Sequence, residues 1–326
     1  MEKPDVLLCS TLHDPKGVFL DNIASVSHEV SKNYRVWVIN VTTNTDKKIK
    51  ERLKGLSNKG IIMTETDPGN MIVPNKIEND HLSLLKQAYR IALELGIKKI
   101  QYTDGDRIIT AAEHFSKEFH QMARDASELT SFEKSYINFR RSQEDILTHH
   151  IPLVVTEAVF NRHYSDVFGL RIDIGSSGHS MSLDVLDKII SRSPAMESVS
   201  FPHPKWILIA KEMGATIQAV DTEKVLSFET PEQYKNETLE RKSNFPGTSY
   251  PNLQKRYLDT LGRDSTYSAK EWNLRYKTLE EYLNVLKNHL NVFNLSSEKE
   301  DKIRKAIDNS LVSMTEGHQY SSEKLG

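Results

Sequence analysis

Short apolar runs alternate with longer segments of helical spacing through the first hundred residues. "DVLLCST" (5–11) is a compact apolar run opening into polar "LHDPKG", the pattern of a strand entering a loop. In "VFLDNIASVSHEV" (18–30), Phe19, Ile23, Val26 and Val30 recur on one helix face. "RVWVINV" (35–41) is rich in β-formers and stops at "TTNTD". A charged helix carrying Ile49, Leu53 and Leu56 is predicted over 46–57, followed by a third strand in "GIIMTE" (60–65). Leu84, Ala88, Ile91 and Leu95 stripe the next helix, with Gly96 placed as its C-cap, and "KKIQYT" (98–103) is a fourth strand.

Strand–helix units repeated without hairpin turns predict an α/β fold, a mostly parallel sheet flanked by helices. Ligands of such sheets bind beyond the carboxyl ends of the strands. The polar loops 11–17, 42–46, 65–80 and 103–109 all fall there. Further on, "IPLVVTEAVF" (151–160) is apolar enough to be buried. "GLRIDIGSSGHSMSLDVLDKII" combines a Gly/Ser loop with a helix starting near Ser182, and "GATIQAVD" (214–221) reads as another strand. From about Pro231 the chain turns helical and charged, with long segments at 268–294 and 296–314, so residues 1–230 and 231–326 read as two regions.

Composition narrows the partners. Lys+Arg 43 against Asp+Glu 45 leaves a net charge of −2, which argues against a duplex nucleic-acid binder working through a basic face. The lone Cys9 excludes an intramolecular disulfide and a cysteine-based zinc site, and suits a reducing, cytoplasmic setting. "MEKPDVLLCSTLHD" lacks the apolar length of a signal peptide. No run approaches the roughly 18 apolar residues of a membrane span.

Candidate chemistry centres on Asp104-Gly105-Asp106, just past the fourth strand. Two carboxylates there can turn toward one hard cation, Mg²⁺ or Mn²⁺, shared with a substrate phosphate. Gly105 lets backbone or ligand approach closely, and the bland alternative is a solvated turn. His13 and Asp14 follow the first strand, and Glu65 and Asp67 the third, where a nucleotide's base and ribose would lie. Lys76, Arg90 or Arg107 would neutralise a diphosphate, or Arg107 would simply pair with the acidic residues. In "GSSGHSMSLD", Ser177, His179 and Ser180 precede a helix N-terminus, a setting that favours an anion. His203 and Lys205 lie in the rigid bend "FPHPKW". Neither a P-loop, nor G-x-G-x-x-G after the first strand, nor G-x-S-x-G is present, which disfavours P-loop nucleotidases, dinucleotide dehydrogenases and α/β-hydrolases.

A strand-first α/β half, a regular helix and then "IKKIQYTDGDR" resembles the GT-A glycosyltransferases, with Asp104-Gly105-Asp106 as their D-x-D motif. "STLHDPKGVFLDNI" and the helical tail are more similar to mannosylglycerate-synthase-like enzymes than to processive synthases. The resemblance implies that Asp104 and Asp106 hold a divalent cation bridging the diphosphate of a nucleotide-sugar. Lys76 matches a phosphate-contacting position, and Thr11, Asp14 and 65–67 would touch the nucleotide. Where inverting members carry an acidic base at a helix start, this chain offers His203; a retaining enzyme would need none. The histidine that often completes the metal shell has no counterpart, since "VLSFETPE" supplies only Glu229. The expected activity is metal-dependent transfer of a sugar from a nucleotide-diphosphate donor to a small polar acceptor. The alternatives are a nucleotidyltransferase on a related sheet, or a catalytically silent GT-A-like binding module whose C-terminal helices offer a partner or homo-oligomer surface.

Overall fold

The structure is a computed structural model, and it describes residues 4–12, 20–43, 45–66, 76–129, 133–147, 149, 151–227 and 269–325. The first half follows the alternation in the sequence. Strand β1 (Leu7–Thr11) leads to helix α1 (Leu20–Asn33), β2 (Val36–Thr42), α2 (Lys47–Lys54), β3 (Ile61–Thr66), α3 (Lys76–Leu95) and β4 (Lys99–Tyr102). Gly96 ends α3 at φ +68°, a left-handed geometry that glycine adopts without Cβ strain. Two helices then follow, α4 (Gly105–His114) and α5 (Ser116–Leu129), before β5 (Ser135–Arg140), α6 (Gln143–Leu147) and α7 (Ile151–Phe168). The chain continues through β6 (His179–Ser182), α8 (Leu183–Arg192), α9 (His203–Glu212) and β7 (Thr216–Asp221). Helices α10 (Ala269–Asn288) and α11 (Ser297–Leu325) complete the described fold.

Seven strands form one sheet in the order β3-β2-β1-β4-β6-β5-β7. β3, β2, β1 and β4 are mutually parallel, as are β5 and β7, and β6 runs antiparallel to both of its neighbours. Strand periodicity sorts the core into two layers. Leu7, Cys9, Val36 and Val38 point to one face, with apolar residues of α3, α7, α8, α9 and α10. Val6, Leu8, Trp37, Ile39 and Val41 point to the other, with those of α1, α2, α4 and α5. Each fully buried aliphatic side chain there contributes about 1.5–3 kcal/mol. Buried polar groups in these layers are paired: Trp37 Nε1 donates to Ser10 Oγ at 3.0 Å and Tyr34 Oη to Gln101 Oε1 at 2.9 Å.

Two elements differ from the sequence reading. The segment "HSMS" is a strand, fully buried, where a polar loop running into a helix was expected. Its polar atoms find partners: Ser180 Oγ donates to Ile100 O at 3.0 Å, and His179 Nδ1 lies 2.8 Å from Tyr136 Oη. The apolar run 151–160 is helical, and it is not buried throughout. Val155 is 38% exposed while Thr156 and Glu157, at 2% and 8%, face inward.

Candidate functional site

The chain order sets where the site lies. β1, β2 and β3 step away in one direction, and β4 then returns to the other side of β1. The crevice at the carboxyl ends of β1 and β4 is therefore a topological switch point, the usual ligand position of an open α/β sheet. β1 ends at Thr11 and β4 at Tyr102, so Asp104 emerges at that crevice. Asp104 is the N-cap residue of α4, but its side chain makes no cap hydrogen bond. Gly105 packs against the other strand end, since a Cβ there would stand 3.2 Å from Thr11 O and 3.2 Å from Leu12 Cδ1.

Tyr102 organises the acidic pair from below. Its hydroxyl, fully buried, donates to Asp104 Oδ1 at 2.6 Å and also meets His81 Nε2 at 2.6 Å and Thr11 Oγ1 at 3.0 Å. A phenol has a single proton, so with that proton on Asp104 both His81 and Thr11 donate to the Tyr102 oxygen. Burial, then the charge of Asp104, pushes the Tyr102 pKa well up, keeping the phenol protonated. Asp106 is pushed up to about 6, first by burial and then by the negative charge of Asp104. The nearest guanidinium compensates only in part, because Arg107 Nε is 3.7 Å from Asp104 Oδ2. Its Nη1 is occupied with Ser176 O at 2.8 Å and Leu226 O at 3.3 Å.

A cavity of about 150 Å³ adjoins the pair, bounded by Asp104 and Arg107 on the sheet side and by residues of α7 and α10 on the other. Ser177 and His203 line it too, Ser177 in a left-handed conformation at φ 56°. His203 opens α9 and stacks within a cluster of His81, Tyr102, His179 and Trp206, with ring centroids 4.9–5.5 Å from its own. Its Nε2 is buried without a hydrogen-bond partner, and burial holds its pKa well below the ordinary value, so the ring is neutral. His179 likewise is held down to about 3 by burial.

No protein-family model and no curated protein matches this sequence. Among solved structures, the chain is similar to a crystal structure of M. tuberculosis glucosyl-3-phosphoglycerate synthase over 79% of this chain and 79% of that one, at 11% identity and a TM-score of 0.41. It is similar to that synthase in complex with Mn²⁺, uridine-diphosphate-glucose and phosphoglyceric acid over 78% of this chain and 80% of that one, at 10% identity and a TM-score of 0.40. At such identities and scores the similarity has no bearing on chemistry, which rests on the site's own side chains.

The sequence-derived candidates divide accordingly. Asp104, Arg107, Ser177 and His203 meet at one cavity, and Thr11 reaches it through Tyr102. Asp106 adjoins in the first turn of α4. His179 is enclosed beneath them, and Ser180 lies within the sheet, both fully buried. The helix start that was to serve residues 177–180 lies elsewhere: β6 pairs His179 with Tyr102 but Ser182 with Lys99, so α8 begins at the opposite edge. Glu65 stands apart on β3, 3.2 Å from Lys50 Nζ and 4.0 Å from Lys54 Nζ. Arg90 is on the exposed face of α3 beside Glu94 at 3.8 Å. His13, Asp14, Asp67 and Glu229 lie outside the described residues, and Lys76 is placed only as the first residue of α3.

Sequence reasoning missed the residues of the opposite wall. Arg141, 1% exposed, donates Nε to Asp173 Oδ2 at 2.8 Å and Nη2 to Asp173 Oδ1 at 2.6 Å, and also pairs with Glu157. Asn161 Nδ2 adds a bond to Asp173 Oδ1 at 2.9 Å. The one signal available was an acidic residue inside an otherwise apolar helical run, Glu157 in "IPLVVTEAVF".

Proposed function

We propose that this chain is a GT-A-type glycosyltransferase that uses a divalent cation to move a sugar from a nucleotide-diphosphate donor to a small polar acceptor. The observation that carries the reading is the Asp104–Asp106 pair at the switch point of the sheet, short of compensating positive charge. An all-oxygen donor set suits Mn²⁺ or Mg²⁺. Among the described residues no group of three acidic, histidine or cysteine side chains could hold a metal. The protein's share is therefore the two carboxylates, with the remaining positions left to diphosphate and water. When bound, the cation supplies Lewis-acid neutralisation of the departing diphosphate.

The chain's own groups supply orientation. Tyr102 fixes the rotamer of Asp104, and Arg107 braces the 176 and 226 segments against it. Thr11, His13, Asp14, Asp67 and Lys76 belong to the loops that would meet the nucleotide. The cavity, at about 150 Å³, has room for about five waters at ~30 Å³ each, which suits a small acceptor. His203, neutral on its wall, is placed to meet that acceptor.

Calorimetric titration of UDP-, GDP- and ADP-sugars, with and without Mn²⁺, tests this in the parent and in Asp106→Ala. Metal-dependent binding of one donor, abolished by the substitution, is the expected result. Equal weak binding in both proteins would sink the reading. Binding of nucleoside triphosphates without nucleotide-sugars would move the assignment to a nucleotidyltransferase.

A further inference from the structure

One buried carboxylate at the cavity takes no part in the donor-side chemistry. Glu157 is 8% exposed, and its Oε2 pairs with Arg141, which is itself bolted to Asp173 by two bonds. The carboxylate is thus held in one orientation. Its other oxygen, Oε1, has no hydrogen-bond partner among the described residues and is not sealed from solvent. It lies so close to Gly175 that a Cβ on that residue would stand 2.3 Å from it. Glu157 and Gly175 both line the cavity that Asp104 lines. A carboxylate oxygen this buried and unpaired is expensive to maintain unless a ligand completes it.

Its neighbours on the wall define what that ligand must offer. Thr156 Oγ1 gives its proton to Leu153 O at 3.1 Å, and Thr278 Oγ1 gives its own to Leu274 O at 3.0 Å. Toward the cavity both present lone pairs only, so three acceptors face one space. The ligand must therefore donate hydrogen bonds. Arg107 and Arg275 line the same cavity and repel an ammonium group, which leaves hydroxyls.

We propose that Glu157 Oε1, with Thr156 and Thr278, forms a subsite that binds a vicinal diol. The diol belongs either to the sugar of the donor or to a polyol acceptor. Assigning it to one of these rests on the glycosyltransferase reading; the subsite itself does not.

The test uses the full chain and three variants: Glu157→Gln, Gly175→Ala, which sets a methyl group against Oε1, and Thr278→Val, which leaves the Arg141 network untouched should the other two fail to fold. The probes are meso-erythritol, followed by saturation-transfer NMR, and the pairs UDP/UDP-glucose and GDP/GDP-mannose with Mg²⁺, followed by calorimetry. Erythritol should bind the parent and weaken about tenfold in each folded variant, as expected for losing one hydrogen bond to a charged or oriented acceptor. A tenfold loss for a nucleotide-sugar without loss for its nucleotide would assign the diol to the donor sugar. A loss confined to erythritol would assign it to the acceptor. Erythritol binding to a parent that ignores every nucleotide-sugar would keep the subsite and remove the glycosyltransferase reading. No erythritol or nucleotide-sugar binding to the parent, or binding unchanged in every folded variant, overturns the subsite.

Discussion

Two acidic clusters face each other across one small cavity, and their charges are balanced in opposite ways. On the α7 side, Glu157 and Asp173 share Arg141 through short, multiple hydrogen bonds. On the sheet side, Asp104 and Asp106 have a guanidinium nitrogen no nearer than 3.7 Å to Asp104, and Asp106 is pushed up to about 6. The first cluster is a closed ion network that holds a wall in place. The second is a pair that a divalent cation would complete. A carboxylate's role is thus set by whether its counter-charge is built in.

The sharpest way to break the contrast is to remove the built-in charge. Arg141→Met should leave two buried carboxylates unpaired and destabilise the fold by about 3–5 kcal/mol, read from the urea midpoint. Acid should do the same more gently. Burial would raise the Asp173 pKa, but Arg141's charge and hydrogen bonds hold it below 3.8. Its stabilisation is therefore complete above the ordinary carboxylate range and is lost as pH falls through the depressed value. Glu157 has the opposite sign, since burial raises its pKa and its ionisation costs stability as pH rises. Asp173→Asn should therefore flatten the acid limb of a stability–pH curve while lowering the plateau.

On the sheet side the effects are smaller in stability and larger in binding. Tyr102→Phe keeps the ring but strips Asp104, His81 and Thr11 of their common partner. It should cost about 1–2 kcal/mol and weaken Mn²⁺ about tenfold, measured by denaturation and by titration of the metal. Asp106→Asn should leave stability within about 1 kcal/mol of the parent, or above it, because a like-charge repulsion is removed. A large loss of stability there would mean that Asp106 is structural, and the contrast would fail.

The sheet-side cluster was legible in the sequence because its parts are local. β4, Asp104 and Asp106 are consecutive, and the alternation of β1 to β4 with α1 to α3 fixes the edge at which they emerge. β6 was not legible, since "HSMS" has no apolar alternation. It is buried by hydrogen bonds to Ile100 and Tyr136 rather than by hydrophobicity. The inward face of α7 misled for the converse reason. A helix that lines a polar cavity turns Thr156 and Glu157 inward and leaves Val155 in solvent. Arg141, Glu157 and Asp173 come from three separate segments, and only tertiary packing joins them.

The glycine between the two aspartates has a consequence for how such sites are found. Its missing side chain makes room for Leu12 and the Thr11 carbonyl, not for a left-handed backbone. Motif and first strand are therefore inherited as one unit, and a larger residue at 105 would lift α4 together with both carboxylates. Acid-glycine-acid triplets occur in many solvated turns. A search that also required a leucine directly after the first strand, and a tyrosine two positions before the first acid, would separate packed motifs of this kind from chance ones.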